Sequence, residues 1–246
     1  MTLSFSRFAA PRPRRNICLP VQRPQTEEEF MKIAIIGAGN VGAALGRLWA
    51  AKGREITFGV RDPRSAKAAD VVRSAGPQAR ATSVADAASS ADIIVLATPW
   101  SAAEEVIRSA GDLSGKILID CINPLLPDLS GLLLGTDTSA GEQVAKWAKG
   151  ARVVKAFNTT GAGNFSAPRF GSENASMFIA GEDKTAKAVV GALAAELGFD
   201  VVDTGPLITA RYLEPLAMLW IHLGYREGLG PTGHAFKLLR RSEGAG

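Results

Sequence analysis

The sequence predicts an α/β fold on a doubly wound, mainly parallel sheet, with a smaller C-terminal α/β extension. Three observations carry that expectation. Short apolar runs bounded by turn residues recur along the chain, and one-sided helical patterns separate them. A glycine-rich turn joins the first such run to the first helical pattern. With 46% hydrophobic and 21% charged residues, a chain of 246 residues can bury a sizeable core, enough for one large domain or one domain with a small partner.

Taken in order, "KIAIIG" (32–37) is an apolar run ended by glycine, as in a buried parallel strand. "NVGAALGRLWAAKG" places Val41, Leu45 and Leu48 on one helical face, with Gly53 set to stop the helix. "EITFGV" is the second strand, and residues 63–74 suit the next helix. "ADIIVLATP" (91–99), "KILIDCINP" and "ARVVKAFN" give three further strands, with helices near 102–110 and over 140–149. Then come the strand "ASMFIAG", a helix over 184–197, the strand "FDVVDTG" and a last helix near 210–223. Such alternation implies right-handed crossovers between parallel strands. The longest connection inside the sheet, 123–139, is rich in apolar residues and suits a flap over a site. Beyond Asn158 the composition turns to Gly and Ser. We therefore expect a dinucleotide-binding domain over 31–158 and a C-terminal part over 159–246.

Charge excludes some function classes. Residues 1–26 hold five arginines and no acid, leaving 23 bases against 24 acids in the rest. The folded body is close to neutral, so no nucleic-acid partner is expected. Residues 1–30 read as a disordered extension upstream of an internal start at Met31, with an organellar targeting peptide as the alternative. No apolar run approaches the ~20 residues that span a bilayer, so no membrane partner is expected. Cys18 and Cys121 form no disulfide framework or metal-ligand spacing; a cytoplasmic location and no metal are expected.

"IIGAGNVGAALG" supplies Gly37, Gly39 and Gly42 in G-x-G-x-x-G spacing, after a strand and at the start of a helix. That context is what a Rossmann dinucleotide site needs. One glycine makes the tight turn, one lets the backbone approach a pyrophosphate, and one lets the helix pack on the strand. NAD-binding chains place a carboxylate about 20 residues beyond the first glycine. Here that position falls near Gly59, followed by Val60 and Arg61. Glycine removes the charge that would repel a 2′-phosphate, and Arg61 offers a planar fork of donors. Arg64 stands within reach, and Asp62 is expected to cap the next helix with Pro63 at its first position. NADP(H) is the predicted cofactor.

Residues just after the later strands should meet the nicotinamide: "TPW" (Thr98, Pro99, Trp100), "CINP" (121–124) and "FNTTG" (157–161). None contains an evident proton-transfer group. His222 and His234 lie in the C-terminal segment; Lys155 reads as an ordinary strand-end lysine, with a general acid as the less favoured alternative. Cys121 reads as a small buried hydrophobe, and Trp100 equally as packing or as a pocket wall. Hydride exchange between two redox rings needs mainly proximity and alignment.

In this order, "GAGNVG", "ATPW", "DCINP", "VKAFNTT" and "DTGPL" followed by "AR" and "LE" resemble the 8-hydroxy-5-deazaflavin:NADP oxidoreductase family, from Met31 to about Phe236. Related domains pass hydride from NADPH to flavin in membrane ferric reductases. The resemblance implies that Gly37, Gly39, Asn40, Val41, Gly42 and Arg61 bind NADP. It also implies that Pro99, Trp100, Asn123, Pro124 and Asn158, with Thr98 and Thr159 beside them, border the nicotinamide and the acceptor. Val60 stands where the family tends to have Ser, and Asn158 where it tends to have His.

The expected function is hydride exchange between NADP(H) and a small-molecule acceptor, a deazaflavin or flavin-like ring. Two alternatives stay open: a reductase of a small hydroxy, keto or imino acid, and a non-catalytic NADP-binding module. The apolar "LEPLAMLWIHLG" is too short to span a membrane and suits a buried helix or a homodimer interface on the C-terminal helix.

Overall fold

The computed structural model describes residues 31–241. The expected disorder of residues 1–30, with Cys18, lies outside the described residues. The chain runs β1 (Ile33–Ile36), α1 (Asn40–Ala51), β2 (Ile56–Gly59), α2 (Ala66–Ala75), β3 (Ala79–Thr82) and α3 (Val84–Ser89). It continues through β4 (Ile93–Leu96), α4 (Trp100–Ser109), β5 (Ile117–Asp120), α5 (Ala140–Trp147) and β6 (Arg152–Lys155). After a 3-10 turn at Ala162–Ser166 come the short hairpin β7 (Arg169–Phe170) and β8 (Glu173–Asn174), then β9 (Ser176–Gly181), α6 (Lys184–Glu196), β10 (Asp200–Asp203) and α7 (Ala210–Tyr225).

Eight strands form one sheet in the order β10-β9-β6-β5-β4-β1-β2-β3. Strands β1 to β6 are mutually parallel; β9 pairs antiparallel to β6, and β10 runs parallel to β9. The residues past Asn158 therefore extend the same sheet in the opposite direction.

Strand periodicity divides the core into two layers. Ile33, Ile35, Phe58, Val95 and Ile119 face one side, where Leu45 and Trp49 of α1, Val71 of α2 and Leu193 of α6 cover them. Ala34, Ile36, Ile94, Leu96 and Leu118 face the other, under Ala87 of α3, Ile107 of α4 and Val144 of α5. Helices on both faces make the sheet doubly wound, as the alternation of patterns predicted.

Two local expectations need correction. The helix expected from Pro63 begins at Ala66, and its cap is Ser65, whose Oγ accepts from the Ala68 N–H at 3.3 Å. Asp62 instead closes the preceding turn: its Oδ1 accepts from the Arg64 N–H at 2.9 Å, and its carbonyl accepts from the Ser65 hydroxyl. The β3–α3 unit had no forecast. Its strand, "ARAT", lies at the sheet edge with no fully buried residue, so no apolar run announces it. The loop over 123–139 folds back through a Leu125–Leu132 bridge and is tied to α7, where Arg226 donates to the Asp128 carbonyl at 3.1 Å and Arg211 to that of Thr136 at 3.3 Å.

Candidate active site at the strand exits

All six parallel strands end on one edge, so the predicted site residues converge there despite their spread in sequence. Gly37 follows β1 with φ +113°, a conformation that suits glycine. A side chain at Gly37 would run into the Ala97 carbonyl beyond β4, and one at Gly42 into the carbonyl of Gly37 itself. Gly39 differs: nothing lies within 4 Å of where its side chain would stand. It is also the N-cap of α1 and has no side chain to satisfy the first N–H groups of Asn40, Val41 and Gly42. The helix therefore presents free donors and its positive end to whatever occupies that space.

The space is a cleft of about 840 Å³ across the exits of β1, β2 and β4. Gly37, Gly39, Arg61, Thr98 and Pro99 line it, as do Ser83 to Ala85 from the β3–α3 unit and Glu105 from α4. Arg61 is exposed at its rim, and Lys67 on the first turn of α2 lines it as well. Arg64 is not part of the lining; the Asp62 turn carries it outside. A helix starting at Pro63 would place Lys67 beyond its first turn, so the sequence does not mark it. With Ser65 as the cap, Lys67 falls in the first turn and faces the site. Gly59 has a second reason to be glycine, since a side chain there would enter the core against Ile36 and Ala87.

The exits of β5 and β6 form the other half, outside that cleft. The Asn123 side chain donates to the Asn158 carbonyl at 3.0 Å, and the Asn158 side chain donates to Asn123 Oδ1 at 3.0 Å. Asn158 also donates to the Leu213 carbonyl of α7 at 3.3 Å. Phe157, just before it, holds φ +59°, rare for an aromatic residue. Its ring is fixed edge-on between Trp49 and Phe165, at 5.6 and 5.7 Å. Strain of this kind persists only where packing over-determines it, and it aims Asn158 across at Asn123. Pro124 is buried beside them, whereas Trp100 stacks on Trp147 at 5.2 Å between α4 and α5 and does not line the cleft.

Lys155 is not an ordinary strand-end lysine. Its side chain is wholly buried, with Nζ 3.0 Å from Asp120 and 2.8 Å from Glu214 of α7. Burial alone pulls its pKa down, but the two carboxylates outweigh that and hold the ammonium above its ordinary value. Asp120 and Glu214 carried no local signal, because the pairing spans distant segments. Cys121 is buried, and burial pushes its thiol pKa well up, so it packs as an inert hydrophobe. His222 is exposed on α7, 3.1 Å from Glu227, and His234 stacks on Trp220. Among the described residues no cluster of His, Cys, Asp or Glu could hold a metal ion.

The donor set fits NADP(H). Gly39 leaves the cradle a pyrophosphate would fill, Arg61 and Lys67 supply cations for a 2′-phosphate, and three polar side-chain atoms on the strand exits are buried without a protein partner. These are Thr98 Oγ1, Asn158 Oδ1 and Thr159 Oγ1. When bound, the cofactor supplies the hydride chemistry; the protein binds and orients it.

Comparison with known proteins agrees. The family model for coenzyme F420-dependent NADP oxidoreductases matches residues 32–124. An F420-dependent NADP reductase of Methanothermobacter thermautotrophicus is 32% identical over 219 residues, covering 82% of this chain and 93% of that protein. Metalloreductase STEAP3 of Rattus norvegicus is 31% identical over 201 residues; the match covers 79% of this chain and spans 38% of that protein's length. A crystal structure from Arthrobacter sp. FB24, provisionally assigned as an F420-dependent NADP reductase, matches with TM-score 0.77 and 34% identity, covering 85% of this chain and 100% of that one. The chain belongs to the coenzyme F420-dependent NADP oxidoreductase family, and it is an NADP-dependent oxidoreductase.

Proposed function

We propose that the protein exchanges hydride between NADP(H) and a deazaflavin or flavin-like ring. In this account Gly37, Gly39, Asn40, Val41 and Gly42 hold the pyrophosphate, and Arg61 with Lys67 holds the 2′-phosphate. Thr98, Pro99, Asn123 and Pro124 border the nicotinamide. Trp100, Asn158 and Thr159 border the acceptor, and the part over 159–246, above all α7, completes its pocket beside the domain over 31–158.

One observation carries the choice of acceptor. The polar groups at the β5 and β6 exits are neutral amides and a hydroxyl, while the ammonium nearest them, Lys155, is sealed and spent on two carboxylates. A keto or imino acid reductase must deliver a proton along with hydride, whereas ring-to-ring transfer needs mainly alignment. The Methanothermobacter relative, named for F420, supports the same choice. Mixing the pure protein with NADPH and a panel of deazaflavin, flavins and small keto and imino acids tests it by loss of nicotinamide absorbance. Turnover with a deazaflavin or flavin is expected; consumption by the keto or imino acids alone would defeat the proposal.

Two finer points go with it. Among the described residues no helix is long and apolar enough to cross a membrane, and we place the protein in the cytoplasm. On α7, Tyr212 and Leu219 stand 75% and 48% exposed, one helical face apart from the core, which supports a homodimer through that helix. Light scattering at micromolar concentration tests the dimer; a monomer that Tyr212→Lys leaves unchanged would reject it.

A further inference from the structure

The buried cluster around Lys155 lies outside the lining of the cleft, yet it is fully wired. The ammonium donates to Asp120 Oδ2 at 3.0 Å, lies 2.8 Å from Glu214 Oε1, and donates to the backbone carbonyl of Ile122. Three N–H groups thus meet three acceptors. Asp120 turns its other oxygen to the Ile122 N–H, at 2.9 Å. Glu214 accepts from the N–H groups of Ala140 and Gly141 at the start of α5, at 2.9 and 3.1 Å. One point therefore joins β5, β6, α5 and α7.

Stability does not explain such a cluster. Well-packed apolar side chains generally hold a core as firmly as a buried ion pair, because taking charges out of water costs as much as their attraction returns. What charges add is fixed geometry, and here the fixed object is the Ile122 backbone. Asp120 grips its N–H and Lys155 its carbonyl. Ile122 leads directly into Asn123, which is paired with Asn158. Asn158 in turn donates to Leu213, the neighbour of Glu214. Each member of the asparagine pair is thus tied to backbone that the cluster holds.

We propose that Lys155, Asp120 and Glu214 form a positioning clamp that sets the Asn123–Asn158 pair against the nicotinamide. The clamp transfers no proton and touches no substrate. It rests on the placement of those asparagines at the nicotinamide proposed above, but not on the identity of the acceptor.

The test therefore uses cofactor binding alone, as the ratio of affinities for NADPH and adenosine 2′,5′-bisphosphate, which lacks the nicotinamide. Lys155→Met alone would strand two carboxylates and unfold the protein. The triple variant Lys155→Met/Asp120→Asn/Glu214→Gln keeps an oxygen for the Ile122 N–H and one for the two N–H groups that open α5, and it removes both the charge and the hold on the Ile122 carbonyl. Calorimetry should show unchanged affinity for the bisphosphate and about a tenfold loss for NADPH, the scale of one neutral hydrogen bond. Asn158→Ala should lose a similar factor, and adding it to the triple variant should cost little more, since coupled residues are not additive. Should the triple variant fail to fold, Asp120→Ala and Asp120→Asn serve instead, because each leaves the charge-balanced Lys155–Glu214 pair. Asp120→Ala, which frees the Ile122 N–H, should lower the ratio more than Asp120→Asn, whose single oxygen can still meet that N–H. An unchanged ratio in a folded triple variant or in Asp120→Ala overturns the clamp, as do fully additive losses. A wild-type protein that binds NADPH no tighter than the bisphosphate removes the nicotinamide from the asparagines, and the clamp falls with that placement.

Discussion

The two halves of the site are built differently. The glycine turn offers backbone: free helix donors, a glycine with open space beside it, and exposed cations on flexible stems. The β5 and β6 exits offer side chains held in a buried network, with a strained Phe157 and an ion cluster behind them. Grip on a common carrier needs only generic donors and charge. Alignment of a reacting ring needs groups that cannot move. The contrast predicts that changes in the first half weaken NADPH and adenosine 2′,5′-bisphosphate alike, whereas changes in the second spare the bisphosphate and fall on the nicotinamide end and on rate.

The sharpest attempt to break that contrast is Gly39→Val. The backbone at Gly39 is extended, with φ −87°, so the variant should fold normally. A side chain in the open space should nevertheless cost NADPH binding about a hundredfold, roughly 3 kcal/mol. A folded variant that binds within a few-fold would show that the cradle is not used.

Next in size is Arg61→Ala. Losing a charged hydrogen bond costs about 1.5–3 kcal/mol, so NADPH should weaken more than tenfold and NADH hardly at all. Lys67→Ala should act in the same direction by a few-fold, since its ammonium is an exposed point charge. Equal losses for both cofactors would remove the 2′-phosphate from this corner. In the other half, Asn158→Ala should lower kcat about tenfold, as about 1.4 kcal/mol of lost alignment would, while the bisphosphate binds unchanged. A loss confined to bisphosphate affinity would erase the distinction between the halves.

The same division governs what could be read from sequence. The glycine turn, glycine in place of an acid at position 59 and the presence of Arg61 are local patterns, so the cofactor was legible. The alternation of strands and helices followed from apolar runs with helical patterns between them. The edge strand "ARAT" was silent because an edge needs no apolar run. The bonds of Asn158 to Asn123 span 35 residues and those of Glu214 to α5 span 73 and 74; no periodicity records such pairs. Lys155 looked ordinary because its partners are visible only in the folded chain. Arg64 and Lys67 exchanged places because the Ser65 cap competed with Asp62 and won.

The smallest expected effect is on stability in acid. A hydrogen bond from Arg211, helped by one from Ser139, holds the Glu142 carboxyl below its ordinary value. A depressed carboxylate contributes stability that is present above its unfolded pKa, near 4.3, and lost as pH falls through the folded value. The α5–α7 contact should therefore weaken below about pH 4.5 and stay constant through the neutral range. Lys155 has the opposite sign: with its folded pKa raised, its contribution is complete below about pH 10.4 and is lost as pH rises through the folded value. Thermal melts of wild type and Glu142→Gln should converge in acid and differ at neutral pH; a constant gap would contradict the assignment.

The central claim is that hydride passes between rings without a protein acid. Its most direct test is the single-turnover rate of NADPH oxidation by a deazaflavin between about pH 6 and 9, where a general acid of the usual kind would titrate. The account predicts a rate nearly constant across that range, in wild type and in Asp120→Asn alike. A rate that falls tenfold per pH unit through a single ionisation would contradict it and place a titrating acid at the ring.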